Sequence, residues 1–539
     1  MRVNRQKLLL FQMTGLILLF ASGEIRSFQG SPDDWVDGTP DGCTTITVGK
    51  KASADGSVIT SHTCDSHRTQ AYLTIMPPKD FKPNEQVMMV KRVNEDSLAM
   101  PAYKYVPTGT IPQVRHTYGY INTAYPAMNT FQLAVGESTF GGRKELRSDK
   151  GLIDCQQLVH LMLARCKTAR EAITLADELT RKYGYNDAGE CLTIADVKEV
   201  WHFEIVGPGQ GKTGAVWAAQ RVPDDHVSVN ANASRIREID LSRPDFFRAS
   251  ENIFQVARKN GWWDPKDGPF EFCYAFAPDN RVSMASRRRE WRVLSLLAPS
   301  LNLHPESENY PFSVKPDEPV TLDQLVTVFQ DYYEDTEYNF VKNITTTDEE
   351  GKTVISPLAN PFMPYDMNKI FNINGGWGWR GERTIARWYT MYATITQSRG
   401  WLPDEIGGVV WLAWDNVATS IYIPLYCSIT DLPHSYQTPG RVHGYSRDNA
   451  WWAFNRLGTL AAQRWGDMRF DVESVWKPMQ QSLFDEPARI DEQAKVLYRE
   501  DPARAVEFLT AYSIEWGNRV VESAWKLGDN LWTKYDGKF

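Results

Sequence analysis

The chain has 539 residues, 42% hydrophobic and 23% charged, with no visible repeat or low-complexity tract, which excludes collagen-like, coiled-coil and disordered architectures. Lys and Arg number 59 against 67 Asp and Glu, and the net charge of −8 argues against nucleic acid as a partner, since nucleic-acid binders usually carry a basic patch. The 19 Trp, 23 Tyr and 23 Phe are enough to fill a large core or line an extended groove.

Arg2, Arg5 and Lys7 precede an apolar run from Leu8 to Ala21, and Ala21-Ser22-Gly23 supplies small residues behind it. This order of basic, apolar and small segments reads as a signal peptide over 1–23, hence a secreted or periplasmic protein. The run is shorter than the ~20 apolar residues a spanning helix needs, so no stable membrane insertion is expected once it is removed. Residues 24–42 are polar and rich in Gly, Pro and Asp, without helical or strand period, and read as a pro-segment or linker. From Cys43 to Gly49 the chain is β-rich and alternating, Asp55-Gly56 is a hairpin turn signal, and Ser57 to His62 reads as the returning strand. An antiparallel hairpin brings its two open ends together, so Cys43 and Asp65 are expected to be neighbours.

Further strands are expected at Tyr118–Asn122, Leu133–Gly136, Leu192–Ala195, Val200–Val206, Gly214–Ala219, Gly407–Ala413 and Thr419–Leu425. Cys155 to Lys182 has helical spacing and reads as one helix. Gly207-Pro-Gly-Gln-Gly-Lys212 lacks the spacing of a phosphate loop and reads as a hairpin turn. Near the end, Val506, Leu509, Ser513, Trp516, Val520, Ala524, Leu527 and Leu531 form one stripe of an amphipathic helix, a packing element or a homo-oligomer contact. Strand blocks separated from helix blocks favour α+β.

Seven cysteines are present, an odd number for an exported chain. Cys155 and Cys166 are eleven residues apart on one expected helix, roughly 16 Å at ~1.5 Å per residue, too far to bridge. No CxxC, HExxH or zinc-type Cys/His spacing occurs, so neither a structural metal nor a cofactor is expected. Glu137-Ser138 lacks the GxSxG elbow and reads as structural.

The stretch Cys43-Thr-Thr-Ile-Thr-Val-Gly-Lys-Lys-Ala-Ser-Ala-Asp-Gly-Ser57 resembles the start of the mature chain in a family of dipeptidases. That family is one of the N-terminal nucleophile (Ntn) hydrolases, related to penicillin V acylases and bile-salt hydrolases. Val135–Arg143, Tyr183-Gly-Tyr, Ala219–Asp225, Asn230–Ile236, Leu294–Asn302, Trp401–Gly408 and Asp415–Ser420 extend the likeness in order, to about Arg447. The resemblance implies a four-layer αββα sandwich over 43–447, with 448–539 as a helical extension. It implies hydrolysis of dipeptides and cleavage before Cys43.

Such cleavage gives the thiol its own α-amine, with pKa ~7.7–8.0, as a base; in the intact chain that nitrogen is an amide. By resemblance, Asn129 and Asn232 are oxyanion-hole candidates, Asp65 orients the amine, and Arg287 lowers the thiol pKa. Relatives often carry Arg-Asn shortly before the Asp; here the stretch is His62-Thr63-Cys64-Asp65, and His62 is read as a partly charged substitute. Holding the free ammonium of a dipeptide needs a carboxylate, for which Glu137 and Glu190 are candidates. An acylase or amidase acting on N-acyl amino acids or lactams would show an apolar cleft instead. A third reading is an inactive peptide-binding protein on the same scaffold.

Overall fold

The computed structural model describes residues 42–66, 68–95, 102–362 and 383–538. The expected signal peptide and all of the pro-segment except Gly42 lie outside the described residues.

Two antiparallel sheets form the centre. Their strands in chain order are β1 (Thr45–Val48), β2 (Val58–Asp65), β3 (Ala134–Thr139), β4 (Glu190–Ala195), β5 (Val200–Val206), β6 (Val216–Arg221), β7 (Val227–Asn230), β8 (Phe247–Ala249), β9 (Ser313–Val314), β10 (Thr390–Ser398), β11 (Gly408–Trp414) and β12 (Ile423–Tyr426). One sheet has the order β9-β7-β1-β2-β10-β11-β12 and the other β8-β6-β5-β4-β3. The expected first hairpin is present, with Val48 opposite Ile59 and Gly42 bridged to Asp65. Asn122 ends a short strand, Tyr120–Asn122, paired with Thr74–Met76.

β2 packs against β3, β4 and β5 of the other sheet. The contact is polar as well as apolar: Thr60 Oγ1 meets Thr193 Oγ1 at 2.6 Å, and Thr47 Oγ1 meets His202 Nε2 at 3.0 Å. Gly136 permits this approach, because a Cβ there would lie 2.4 Å from the Ser61 carbonyl oxygen. Long all-buried strands such as β5 and β10 follow from being covered on both faces.

The expected helix from Cys155 is two helices, α1 (Cys155–Arg165) and α2 (Ala169–Tyr183). Thr168 breaks it: its side chain accepts the Glu171 N–H, while the Glu171 carboxylate accepts the Lys167 N–H. α1 packs on β3, and α2 on β4 and β5. α3 (Met284–Leu297) lies against β7. The C-terminal region is helical as expected: α4 (Ala450–Gln463), α5 (Trp465–Asp485), α6 (Pro487–Glu500) and α7 (Pro502–Lys534). α4 contacts β11, while α5 and α7 contact β12. The predicted stripe of α7 is buried from Leu509 to Leu531, with Val506 only half-buried at its start. Among the described residues no helix is long and apolar enough to cross a membrane.

Candidate active site

The first hairpin sets the site. Gly42 donates its N–H to the Asp65 carbonyl and accepts the Asp65 N–H, both at 2.9 Å. The residue after this clamp is Cys43, buried at the open end of β1. Its thiol lies 3.0 Å from Glu137 Oε2 and 3.3 Å from His62 Nε2, and His62 Nε2 is 3.6 Å from the same carboxylate oxygen. His62 comes from β2 and Glu137 from β3, the edge strand of the other sheet. Tyr125 and Tyr392 each make a T-shaped contact with the His62 ring.

Burial dominates the electrostatics. It pushes the Cys43 thiol well above its usual pKa, and the Glu137 carboxylate adds to the rise. It lowers the pKa of His62, although Glu137 and Asp65 pull the other way. His62 is therefore neutral at neutral pH, not the partly charged group expected from the sequence. Glu190, joined to Glu137 through Thr139 Oγ1, has its carboxyl raised well above the usual range by burial and then by the Glu137 charge.

Asn232 and Asp65 stand beside Cys43 from two other directions. Asn232 follows β7 with φ of 60°, a left-handed conformation that Asn tolerates. Its Oδ1 accepts the Cys43 N–H at 3.2 Å, and its Nδ2 donates to the Thr139 carbonyl at 2.7 Å. Asp65 accepts from Thr390 Oγ1 at 2.6 Å and pairs with Arg383, whose guanidinium lies against Gly42.

Four sequence-based assignments are corrected. The Cys43 N–H goes to Asn232 Oδ1 and not to Asp65, whose carboxylate is taken by Thr390 and Arg383, and the Asn232 amide donor expected for an oxyanion is spent on the Thr139 carbonyl. Asn129 is not brought to the thiol: its Nδ2 donates to the Leu163 and Cys166 carbonyls, and its Oδ1 accepts the Phe131 and Leu133 N–H groups. That side chain is a loop clamp. Arg287 turns to the Ser307 carbonyl at 2.9 Å and to Met284 Sδ. The arginine at the site is Arg289, buried, which donates to the Cys43 carbonyl, Thr44 Oγ1, the Ala231 carbonyl and Asn232 Oδ1, each at 2.9 Å. Two residues along a helix is roughly 200° of rotation at 3.6 residues per turn, so Arg287 and Arg289 face nearly opposite ways. Arg289 thus ties the nucleophile candidate and Asn232 into one unit. The guanidinium acts on geometry here, and the thiol pKa is raised despite its presence. Arg383 was not singled out from the sequence, and nothing local in its surroundings would have linked it to Asp65. Among the described residues no disulfide joins the cysteines, all of which are buried.

A nucleophile candidate, a neutral imidazole, a carboxylate and an arginine-fixed amide are the parts of an acyl-transfer site. The family model for peptidase family C69 matches residues 42–478. The chain belongs to peptidase family C69. The match begins one residue before Cys43 and runs through both sheets into α5. Among similar curated proteins, a probable dipeptidase of Latilactobacillus sakei is 27% identical over 507 residues, covering 91% of this chain and 95% of the relative. A probable dipeptidase B of Lactococcus lactis subsp. lactis is 26% identical, covering 80% of this chain and 82% of the relative. Dipeptidase A of Lactobacillus helveticus is 22% identical, covering 80% and 83%.

Proposed function

We propose that this protein is an exported dipeptidase of the N-terminal nucleophile type, with Cys43 as nucleophile exposed by cleavage of the Gly42–Cys43 bond. The observation that carries the reading is the setting of Cys43: the thiol between His62 and Glu137, and its backbone nitrogen on Asn232. The contacts of α1 and α2 with one sheet, of β2 with the facing strands, and of α4, α5 and α7 with the other sheet support a four-layer αββα arrangement.

In the intact chain the Cys43 nitrogen is an amide and cannot serve as a base. Neutral His62 is within reach to take the thiol proton. The thiolate then attacks the Gly42 carbonyl carbon, whose oxygen already accepts the Asp65 N–H at 2.9 Å. The C–N bond to Cys43 breaks, its nitrogen gains a proton, and water hydrolyses the thioester. The freed α-amine stays beside Asn232 Oδ1 and becomes the base for later turnovers.

Glu137 supports a dipeptide over an N-acyl substrate. The α-nitrogen of a dipeptide is two bonds from the scissile carbonyl carbon, about 2.5 Å away by standard backbone geometry. A carboxylate that holds that ammonium must therefore sit next to the nucleophile, as Glu137 does at 3.0 Å.

The test is intact mass and N-terminal sequencing of the exported protein beside a Cys43→Ser version, with dipeptide hydrolysis measured on both. The expected wild-type chain begins at Cys43 and is active, and the variant keeps residue 42 and is inactive. An active wild-type chain that begins upstream of Gly42 refutes the terminal-nucleophile mechanism.

A further inference from the structure

Three side chains far apart in sequence converge at the thiol. Cys43 Sγ, His62 Nε2 and Glu137 Oε2 all lie within 4.8 Å of one another, and all three residues are buried. Their separations are 3.0, 3.3 and 3.6 Å. A tetrahedral Zn2+ holding sulfur at about 2.3 Å and nitrogen and oxygen at about 2.0–2.1 Å sets its ligand atoms roughly 3.4–3.6 Å apart. The observed triangle departs from that face by about 0.6 Å at most, within reach of small χ rotations.

The donor chemistry also suits such an ion. One thiolate, one imidazole and one carboxylate form a mixed set of borderline softness, which selects Zn2+-like cations over Mg2+ or Ca2+. His62 Nε2, the ring nitrogen facing both the thiol and the carboxylate, is the one that would ligate, with the ring proton on Nδ1. Nδ1 is buried with no partner among the described residues, so the bound ion, and not a second-layer acceptor, would have to hold that tautomer. Thr139 Oγ1 donates to the other oxygen of Glu137 at 2.8 Å, a second-layer bond that fixes the carboxylate with Oε2 toward the cluster. Water or an incoming group would complete the tetrahedron.

We propose that Cys43, His62 and Glu137 form a binding site for one Zn2+-class divalent cation, and that its occupancy blocks the thiol. On binding, the thiol proton leaves to solvent and a metal–sulfur bond forms; nothing is oxidised or reduced. The binding claim stands on geometry alone; the blocking claim rests on the function proposed above.

The experiment titrates the purified mature protein with Co2+, follows the thiolate-to-cobalt charge-transfer absorption, then displaces Co2+ with Zn2+. One Co2+ per chain with a thiolate band is expected, and Zn2+ should bleach it. Cys43→Ser, released at residue 43 by an inserted protease site, should lack the band. His62→Ala and Glu137→Gln should each weaken Co2+ binding roughly tenfold or more, the loss that even outer-shell changes can cause. His62→Asn serves as a second variant, with thermal unfolding as the check that each protein is folded. Absence of the band in the folded wild type, its survival in Cys43→Ser, or unchanged affinity in folded His62 and Glu137 variants overturns the site. Dipeptide hydrolysis should fall in proportion to Zn2+ bound and return with a chelator. If metal binds as expected but the mature protein hydrolyses no dipeptide without metal, the site stands and the proposed function fails.

Discussion

Replacing Gly42 by Ala tests whether the proposed self-cleavage depends on the fit around the Gly42–Cys43 bond. A Cβ on residue 42 would lie 2.5 Å from Arg383 Nη1 and 2.7 Å from Asn232 Oδ1. Ordinary contact begins near 3.4 Å, so the neighbours must retreat by about 0.9 and 0.7 Å. Neither is free to do so. Arg383 is buried and paired with Asp65, and Asn232 Oδ1 is held by Arg289 while it accepts the Cys43 N–H. Moving them shifts the peptide under attack. A misplacement of about 1 Å in a reacting pair can cost ~10²-fold in rate, so release of the pro-segment should slow about 100-fold. Gly42→Val should be slower still.

The assay is a time course of intact mass after synthesis, scoring the fraction of chain that begins at Cys43. Residue 42 is absent from the product, which gives an internal control. Mature chains made from wild type and from Gly42→Ala by an inserted external protease site are covalently identical. Their kcat/KM values should agree, which separates a defect in processing from one in folding. Processing of Gly42→Ala at the wild-type rate refutes the reasoning, as does a mature product of lower activity.

Arg289→Lys loses the planar fork that joins Cys43 to Asn232 and should lower kcat/KM about 10²-fold, whereas Arg287→Ala should stay within about twofold; steady-state kinetics on one dipeptide compares them. Asn129→Ala leaves four backbone groups without their side-chain partner and should destabilise the fold by ~2–4 kcal/mol in urea unfolding, with kcat per folded molecule unchanged. Burial lowers the pKa of His202 to about 3. The unfolded chain takes up this proton near pH 6.5 and the folded one does not, so the contribution is lost as pH falls from about 6.5 to 3, by up to ~4–5 kcal/mol. His202→Gln should flatten that part of the pH–stability curve; an unchanged slope refutes the assignment.

The site was legible where the chain is local and opaque where it is not. The first hairpin could be read from alternation and an Asp-Gly turn, and hairpin pairing fixes its own register, so Cys43 beside Asp65 followed from some twenty residues. Glu137 reaches the thiol from a different sheet, 94 residues away, and pattern alone could name it but not place it. In the Arg287-Arg288-Arg289 run the charge was visible but the helix phase was not, and an error of two residues turns a side chain to the opposite face. Asn129 shows a different failure. Its setting, Ala127-Met128-Asn129, gives no local sign of the loop contacts it makes, and only its four satisfied bonds show the clamp. The longest central strand, β10, went unread because Thr390–Ser398 is buried on both faces and mixes Thr, Gln and Ser with apolar residues, which erases the period of two.

The position of His62 also shows what the site lacks. An Arg in its place would bring a fixed positive charge to the thiol and to Glu137. Here the imidazole is held neutral, while Glu137 and Glu190 lie buried together through one hydroxyl. Two buried carboxylates in contact cannot both remain charged without a cation, and Glu190 answers by keeping its proton. The ammonium of a dipeptide and a divalent ion would both take the Glu137 carboxylate, so the two should compete, and Zn2+ should inhibit competitively with dipeptide. An inhibition pattern that is purely noncompetitive would separate the metal from the ammonium subsite and remove Glu137 from one of its two roles.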